Sequence, residues 1–358
     1  MPICLLSPAK SLDEKSDFST IPRTEPPFLN TDTSDLLMAC KALSQGNLKS
    51  LMSLSDNLAK LNHERFAGFE DQPEMPAAYA FDGPAHKALD VASLSPEELA
   101  YADSSIVTLS GLYGCLRPRD NIRSYRLEMG TKLGTSRGKS LYEFWGSAVA
   151  EELGRRLAAI PAEEERFLVN VASEECKQRG AARERKRVPP LQTALLKSLK
   201  AASPLSLAST FQFNSFSLGH AYFAWSDWNV VKKHQDLLEA SVYTIKFPGP
   251  SVYAKQARGM FCRFMCQKSV RTPDALTEFA EWSQTAEIGG KYALESISDT
   301  VITFKRTGDG SGAAARKKKA TATASPSSSA EQPKGRGAKK KASSSTATDK
   351  VAKKRKAK

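Results

Sequence analysis

The sequence predicts a mixed α/β (α+β) domain with a central sheet, running from residue 1 to 306, followed by a disordered basic tail from 307 to 358. Three observations carry this reading. Apolar runs rich in β-branched residues recur at Ile3 to Leu6, Ile106 to Leu109, Phe167 to Val171 and Val242 to Phe247, the composition of buried strands. Between them, apolar residues repeat at helical spacing. The composition then changes at Thr307. Of the 52 Lys+Arg and 39 Asp+Glu in the chain, 15 and 3 lie beyond that point, so the tail carries +12 and the body only +1.

The elements follow in order. Ile3 to Leu6 is a first strand, and Lys10 lies in the turn after it, at the strand's carboxyl end, where open α/β sheets hold ligands. A surface lysine in a turn is the plainer alternative. Asp35 to Leu43 and Asn47 to Leu61 have helical spacing. Ser95-Pro-Glu-Glu98 is a capping box with proline at the first helical position. Trp145, Val149, Leu153 and Leu157 recur every fourth residue and mark another helix with one core face.

The segment Leu109-Ser-Gly-Leu-Tyr-Gly114 sets two glycines three apart behind an apolar run. Glycine lets the backbone turn tightly and approach a ligand, and its N–H groups then become donors. The pattern fits the hairpin of helix-hairpin-helix modules, while the β-branched Ile106 to Leu109 equally suits strand, glycine turn, helix. Arg117, Arg119, Arg123 and Arg126 follow directly, and guanidinium matches phosphate or carboxylate with a fixed fork. An anion site and a solvated turn are the two readings.

Asn170 to Glu175 closes the third strand, with Ser173 and Glu174 as helix cap and first-turn acid, or as a cleft pair. From about 180 to 240 the chain carries a basic run at Arg183 to Arg187 and aromatic residues from Phe211 to Trp228, where the edge of the fold is open. In the Tyr253 block, Ala254, Ala257, Phe261, Phe264 and Met265 share one helical side. Lys255 and Arg258 project together from another. Cys4, Cys40, Cys115, Cys176, Cys262 and Cys266 lack the paired spacing of a zinc or redox site, so reduced thiols are expected. His63, His86, His220 and His234 form no nucleophile arrangement.

Ser7-Pro-Ala-Lys-Ser-Leu-Asp13, Phe81-Asp-Gly83, Leu109 to Gly130, Leu141-Tyr-Glu-Phe-Trp-Gly146, Asn170-Val-Ala-Ser-Glu174 and Tyr253 to Gly259 resemble, in order, the blocks of the peroxide stress protein YaaA family. The resemblance spans most of Met1 to Arg306. It implies a mixed α/β protein linked to surviving hydrogen peroxide and limiting harm from intracellular iron. It also implies binding of double-stranded DNA through a basic cleft with a helix-hairpin-helix-like element. The stretch from 180 to 240 and a short Pro248-Gly-Pro250 insertion exceed the family pattern. The tail does too.

The expected function is therefore duplex DNA binding without strong sequence preference. Gly111 and Gly114 would let the backbone reach a phosphate, and Lys10, Arg117, Arg119, Arg123, Arg126, Lys255 and Arg258 would neutralise the strand. The rival is an enzyme acting on a nucleotide, damaged base or other small anion, with Asp82, Glu128 and Glu174 as cleft acids. The tail, free of aromatic residues, cannot bury enough surface to order itself. Its clusters, including Lys353, Lys354, Arg355 and Lys356, read as a nuclear address and a salt-sensitive contact with DNA or RNA. A phosphate at Ser325 would subtract charge from it. No cofactor and no metal are expected, and no secretory leader or bilayer span is legible. The expected place is nucleus or cytoplasm, as a monomer.

Overall fold

The computed structural model describes residues 1–22, 27–172 and 227–308. Nine strands are described. A seven-stranded sheet has the order β4-β3-β1-β6-β7-β9-β8. Its strands are β1 (Ile3–Leu6), β3 (Ile106–Ser110), β4 (Gly114–Leu116), β6 (Phe167–Asn170), β7 (Ser241–Lys246), β8 (Lys291–Ser298) and β9 (Val301–Gly308). β3, β1, β6, β7 and β9 run parallel, and the two edges are closed by antiparallel partners, β4 on β3 and β8 on β9. β2 (Met75–Pro76) and β5 (Asn121–Ile122) make a small second sheet.

The period of two along each strand divides the core. Ile3 and Leu5 of β1 face one cluster with Val107, Leu109 and Leu168. Cys4 and Leu6 face the other with Ile106, Phe167 and Val169. Central parallel strands covered on both faces read as continuous apolar runs, which is why these were legible. The first face is covered by α1 (Asn30–Lys41), α2 (Gln45–Met52), α3 (Asp56–Ala67), α7 (Leu141–Trp145) and α8 (Ala148–Ala158). The second is covered by α5 (Pro84–Leu89), α6 (Pro96–Ser105), α10 (Ser251–Lys268) and α11 (Phe279–Thr285). The short α4 (Ala77–Ala80) and α9 (Asn229–Lys232) complete the described helices.

Ser95 and Glu98 form the expected capping box at α6, with reciprocal bonds of 2.8 and 3.2 Å. Two expected helices are divided. Ser53 adopts a left-handed conformation and Ser55 caps a fresh start, so Asn47 to Leu61 becomes parts of α2 and α3. Gly146, with φ +48°, separates α7 from α8 within the Trp145 to Leu157 stripe. β9 continues two residues past the expected end of the domain, pairing Gly308 with Lys291.

The helix-hairpin-helix-like element is not formed. β3 runs on to Ser110, turns over Gly111 to Tyr113, and returns as β4 with Ser110 opposite Gly114. A strand enters the turn and a strand leaves it; the flanking helices are α6, which ends at Ser105 before β3, and α7. The β-branched residues of Ile106 to Thr108 pair with β1 inside the sheet, and that burial outweighs the glycine pattern. The tail, Ser173, Glu174 and most of the 180 to 240 stretch lie outside the described residues.

Candidate functional site

The glycine turn is closed to ligands. Its N–H groups at Leu112 and Tyr113 already donate to the Ser110 hydroxyl at 3.2 and 3.0 Å. The Gly111 carbonyl accepts from Trp145 Nε1 at 3.1 Å. A Cβ on Gly111 would stand 2.4 Å from the Leu127 carbonyl oxygen, and one on Gly114 2.7 Å from Leu29. Both glycines therefore admit close packing of the protein's own chain. Gly114, with φ +68°, also holds the left-handed corner.

The four arginines each meet a carboxylate. Arg117 bonds Asp120 at 2.6 Å through Nε, and the fully buried Asp120 also accepts from the Arg117 backbone N–H. Arg119 Nε bonds Asp103 at 2.6 Å. Arg123 pairs with Glu74 at 3.0 Å, and Arg126 with Glu128 at 3.3 Å. Arg117 also lies 4.2 Å over the Phe28 ring. The segment that reads as an anion site is locally neutralised.

A second charged group gathers where β1 ends. Ser7 follows the strand directly, and Lys10 reaches Glu128 at 2.7 Å, which joins Arg126 to the same carboxylate. Asp227 hydrogen-bonds Ser7 and feels Glu128, Arg258 and Lys10. Burial, with the Glu128 charge adding to it, pushes its carboxyl up to about 6 against the opposing Ser7 bond and cations. Arg258 is buried on α10, whereas Lys255 on the same helix is exposed, so the two do not form the single basic face expected of them. Asn170, at the end of β6 beside Leu5, is fully buried. Its Oδ1 accepts from the Ala172 N–H at 3.0 Å, while Nδ2 has no partner among the described residues.

Among the proposed cleft acids, Glu128 belongs to this cluster, Asp82 pairs instead with Lys87 at 2.6 Å, and Glu174 lies outside the described residues. Sequence reading missed Asp227. It lies within the aromatic stretch, between Trp225 and Trp228, with no motif around it, and only its tertiary neighbours single it out.

Burial raises the Cys40 and Cys115 thiols to about 12 and also raises Cys266, while the Cys4 contact and burial raise Cys262. Reactive thiolates are thereby disfavoured at these four positions. Among the described residues, no three His, Cys, Asp or Glu side chains gather as metal ligands. No described helix is long and apolar enough to cross a membrane.

Fold and cluster define an α/β protein with a group of charged residues at the carboxyl ends of parallel strands, where burial pushes one carboxyl up to about 6. Residues 2–198 match the family described as peroxide stress protein YaaA, and the chain belongs to that family. It is 32% identical over 309 residues to a UPF0246 protein of Aliivibrio fischeri strain MJ11, covering 85% of this chain and 98% of that relative. A UPF0246 protein of Janthinobacterium sp. strain Marseille is 37% identical over 281 residues, covering 77% and 90%. One from Shewanella amazonensis is 44% identical over 177 residues, covering 48% and 67%.

Proposed function

We propose that the protein serves in the response to peroxide by holding duplex DNA without strong sequence preference, limiting iron and peroxide damage to it. The carrying observation is the convergence of Lys10, Arg126 and Arg258 on one strand end against the carboxylates Glu128 and Asp227. Cations at the carboxyl edge of a parallel sheet favour an anionic ligand. The exposed Lys255 offers a further phosphate contact along α10. Arg117, Arg119 and Arg123 serve the fold in this reading, because each would have to abandon a carboxylate to reach DNA. The tail adds a sequence-independent, salt-sensitive arm, and Lys353, Lys354, Arg355 and Lys356 supply a nuclear address.

Fluorescence anisotropy of a labelled duplex across a salt series tests this with the full chain and with a chain ending at Ala313, the limit of the compact unit. Removing the tail lowers the salt slope, and the shortened chain still binds. Replacing Lys10 and Arg126 with alanine then weakens it by about 1–3 kcal/mol and lowers the slope by about one or two contacts. Absence of salt-dependent binding by the shortened chain at micromolar concentration restricts DNA contact to the tail.

Asp227 favours a second reading, an enzyme acting on a nucleotide or damaged base. A carboxyl titrating near 6 beside a lysine suits proton transfer at neutral pH. Mass spectrometry of nucleotides and oligonucleotides incubated with the protein checks it: product forms with the native chain and fails with Asp227→Asn.

A further inference from the structure

One proton sets the net charge of the strand-end cluster. Lys10 and Arg126 share Glu128, and Asp227, hydrogen-bonded to Ser7, lies in the field of Glu128, Arg258 and Lys10. Tyr125 feels the Asp227 charge as well, with its hydroxyl engaged by that of Ser110 at 2.6 Å. These groups arrive on separate pieces of chain: Ser7 and Lys10 after β1, Tyr125, Arg126 and Glu128 after β5, Arg258 on α10, and Asp227 just before α9. With Asp227 ionised, three cations meet two carboxylates; with it protonated, the same three meet one. The net charge thereby doubles from +1 to +2.

That proton and a bound anion support each other. An ionised Asp227 repels a phosphate and draws on the field of Lys10 and Arg258, whereas a neutral one leaves that field to the phosphate and turns from acceptor to donor. Exposure permits the meeting. Ser7 and Asp227 are half-buried, and Lys10 and Glu128 are 60% and 41% exposed. Arg258, 8% exposed, acts through its charge.

The carboxyl already stands close to the change. Burial first, and then the Glu128 charge, bring it up to about 6, so an arriving negative charge has only a short way to carry it into the neutral range. The two effects have the same sign.

We propose that the strand-end site is proton-linked: it takes up a proton at Asp227 when a phosphate group binds beside Lys10, and it holds phosphate more tightly in mild acid than in mild base. The inference rests on the anion-binding reading of this cluster given above and supplies its regulation. The anion-bound state carries more protons than the free one, so binding strengthens as pH falls. A rise of about one unit in the pKa of Asp227 on binding corresponds to about tenfold in affinity across the transition. The tail's lysines keep their charge throughout that window, so their contribution does not vary with it.

Two measurements on the full chain test it. In the first, the Asp227 carboxyl carbon is followed by NMR from pH 4 to 8, its signal identified by its loss in Asp227→Asn. Saturating sulfate, a free tetrahedral anion that keeps its charge over this range, is expected to raise the midpoint by about one pH unit relative to chloride at equal ionic strength. An unmoved midpoint overturns the proposal. In the second, anisotropy of a labelled duplex is read at pH 5 and pH 8 at fixed ionic strength. The wild-type chain is expected to gain about tenfold more affinity toward pH 5 than Asp227→Asn, because histidines elsewhere titrate alike in both. An equal gain in the two chains overturns the proposal and leaves the DNA reading standing. If sulfate moves the midpoint and no duplex binds, the DNA reading fails and the proton-linked anion site stands.

Discussion

The arginine segment and the strand-end cluster are both basic in sequence, yet they sit in opposite electrostatic surroundings. Arg117, Arg119 and Arg123 each have an acid of their own, and the Asp120 that serves Arg117 is fully buried. At the strand end, Lys10 and Arg126 share Glu128, and Asp227 lies nearby with a weakened hold on its charge. The first region holds the chain together. In the proposed function the second offers its cations to a ligand. Residue type alone does not separate these surroundings; whether a cation holds its carboxylate alone or shares it does.

The largest expected difference follows from removing a buried partner. Asp120→Ala strands Arg117 beneath Phe28 and deprives its N–H, with an expected loss of about 3–5 kcal/mol in denaturant unfolding. An effect below 1 kcal/mol would place Arg117 with the ligand-binding cations and erase the contrast.

Asp227 sharpens the comparison through pH. Its folded pKa of about 6 stands above the ordinary 3.8, so the folded state binds the extra proton between these values. That stability is fully present below about 3.8 and is lost as pH rises through 6, at up to about 1.36 kcal/mol per unit. Asp227→Asn removes this contribution, leaving the opposite contribution of His86, and stabilises the protein at pH 7 by about 1–3 kcal/mol. Thermal melts from pH 4 to 7 read both effects. His86 works in the other direction: its pKa is depressed from 6.5 to about 3, so its contribution is present above 6.5 and lost as pH falls toward 3.

Gly111→Ala tests whether the turn packs or binds. The new Cβ meets the Leu127 carbonyl oxygen at 2.4 Å, so the DNA-free protein should lose about 1–3 kcal/mol. Unchanged stability with weakened DNA binding would return the turn to the phosphate reading. The smallest effect belongs to Lys10→Ala. Lys10 and Glu128 are 60% and 41% exposed, and their separation should shift stability by less than about 1 kcal/mol while DNA affinity falls.

What the sequence disclosed follows the same division. β1, β3, β6 and β7 were legible because burial makes a strand's apolar run continuous. β8, Lys-Tyr-Ala-Leu-Glu-Ser-Ile-Ser, is largely exposed and carries no such run. β4 and β5 are only three and two residues long. At the site, Lys10 was legible from its place after a strand. The neutralisation of Arg119 and Arg123 was not, because Asp103 and Glu74 approach only through tertiary folding. Asp227 was silent for the same reason.

Gly259 lies one residue beyond Arg258, where α10 touches the loop-proximal turn of α5: a Cβ there would fall 1.8 Å from the Ala85 carbonyl oxygen. No rotamer relieves such an overlap, since the obstacle is backbone on both sides. The position has a one-letter alphabet. A random library covering α10 would therefore recover glycine at 259 in every folded clone, whether or not it was screened for DNA, while Arg258 beside it would be enriched only when binding was selected.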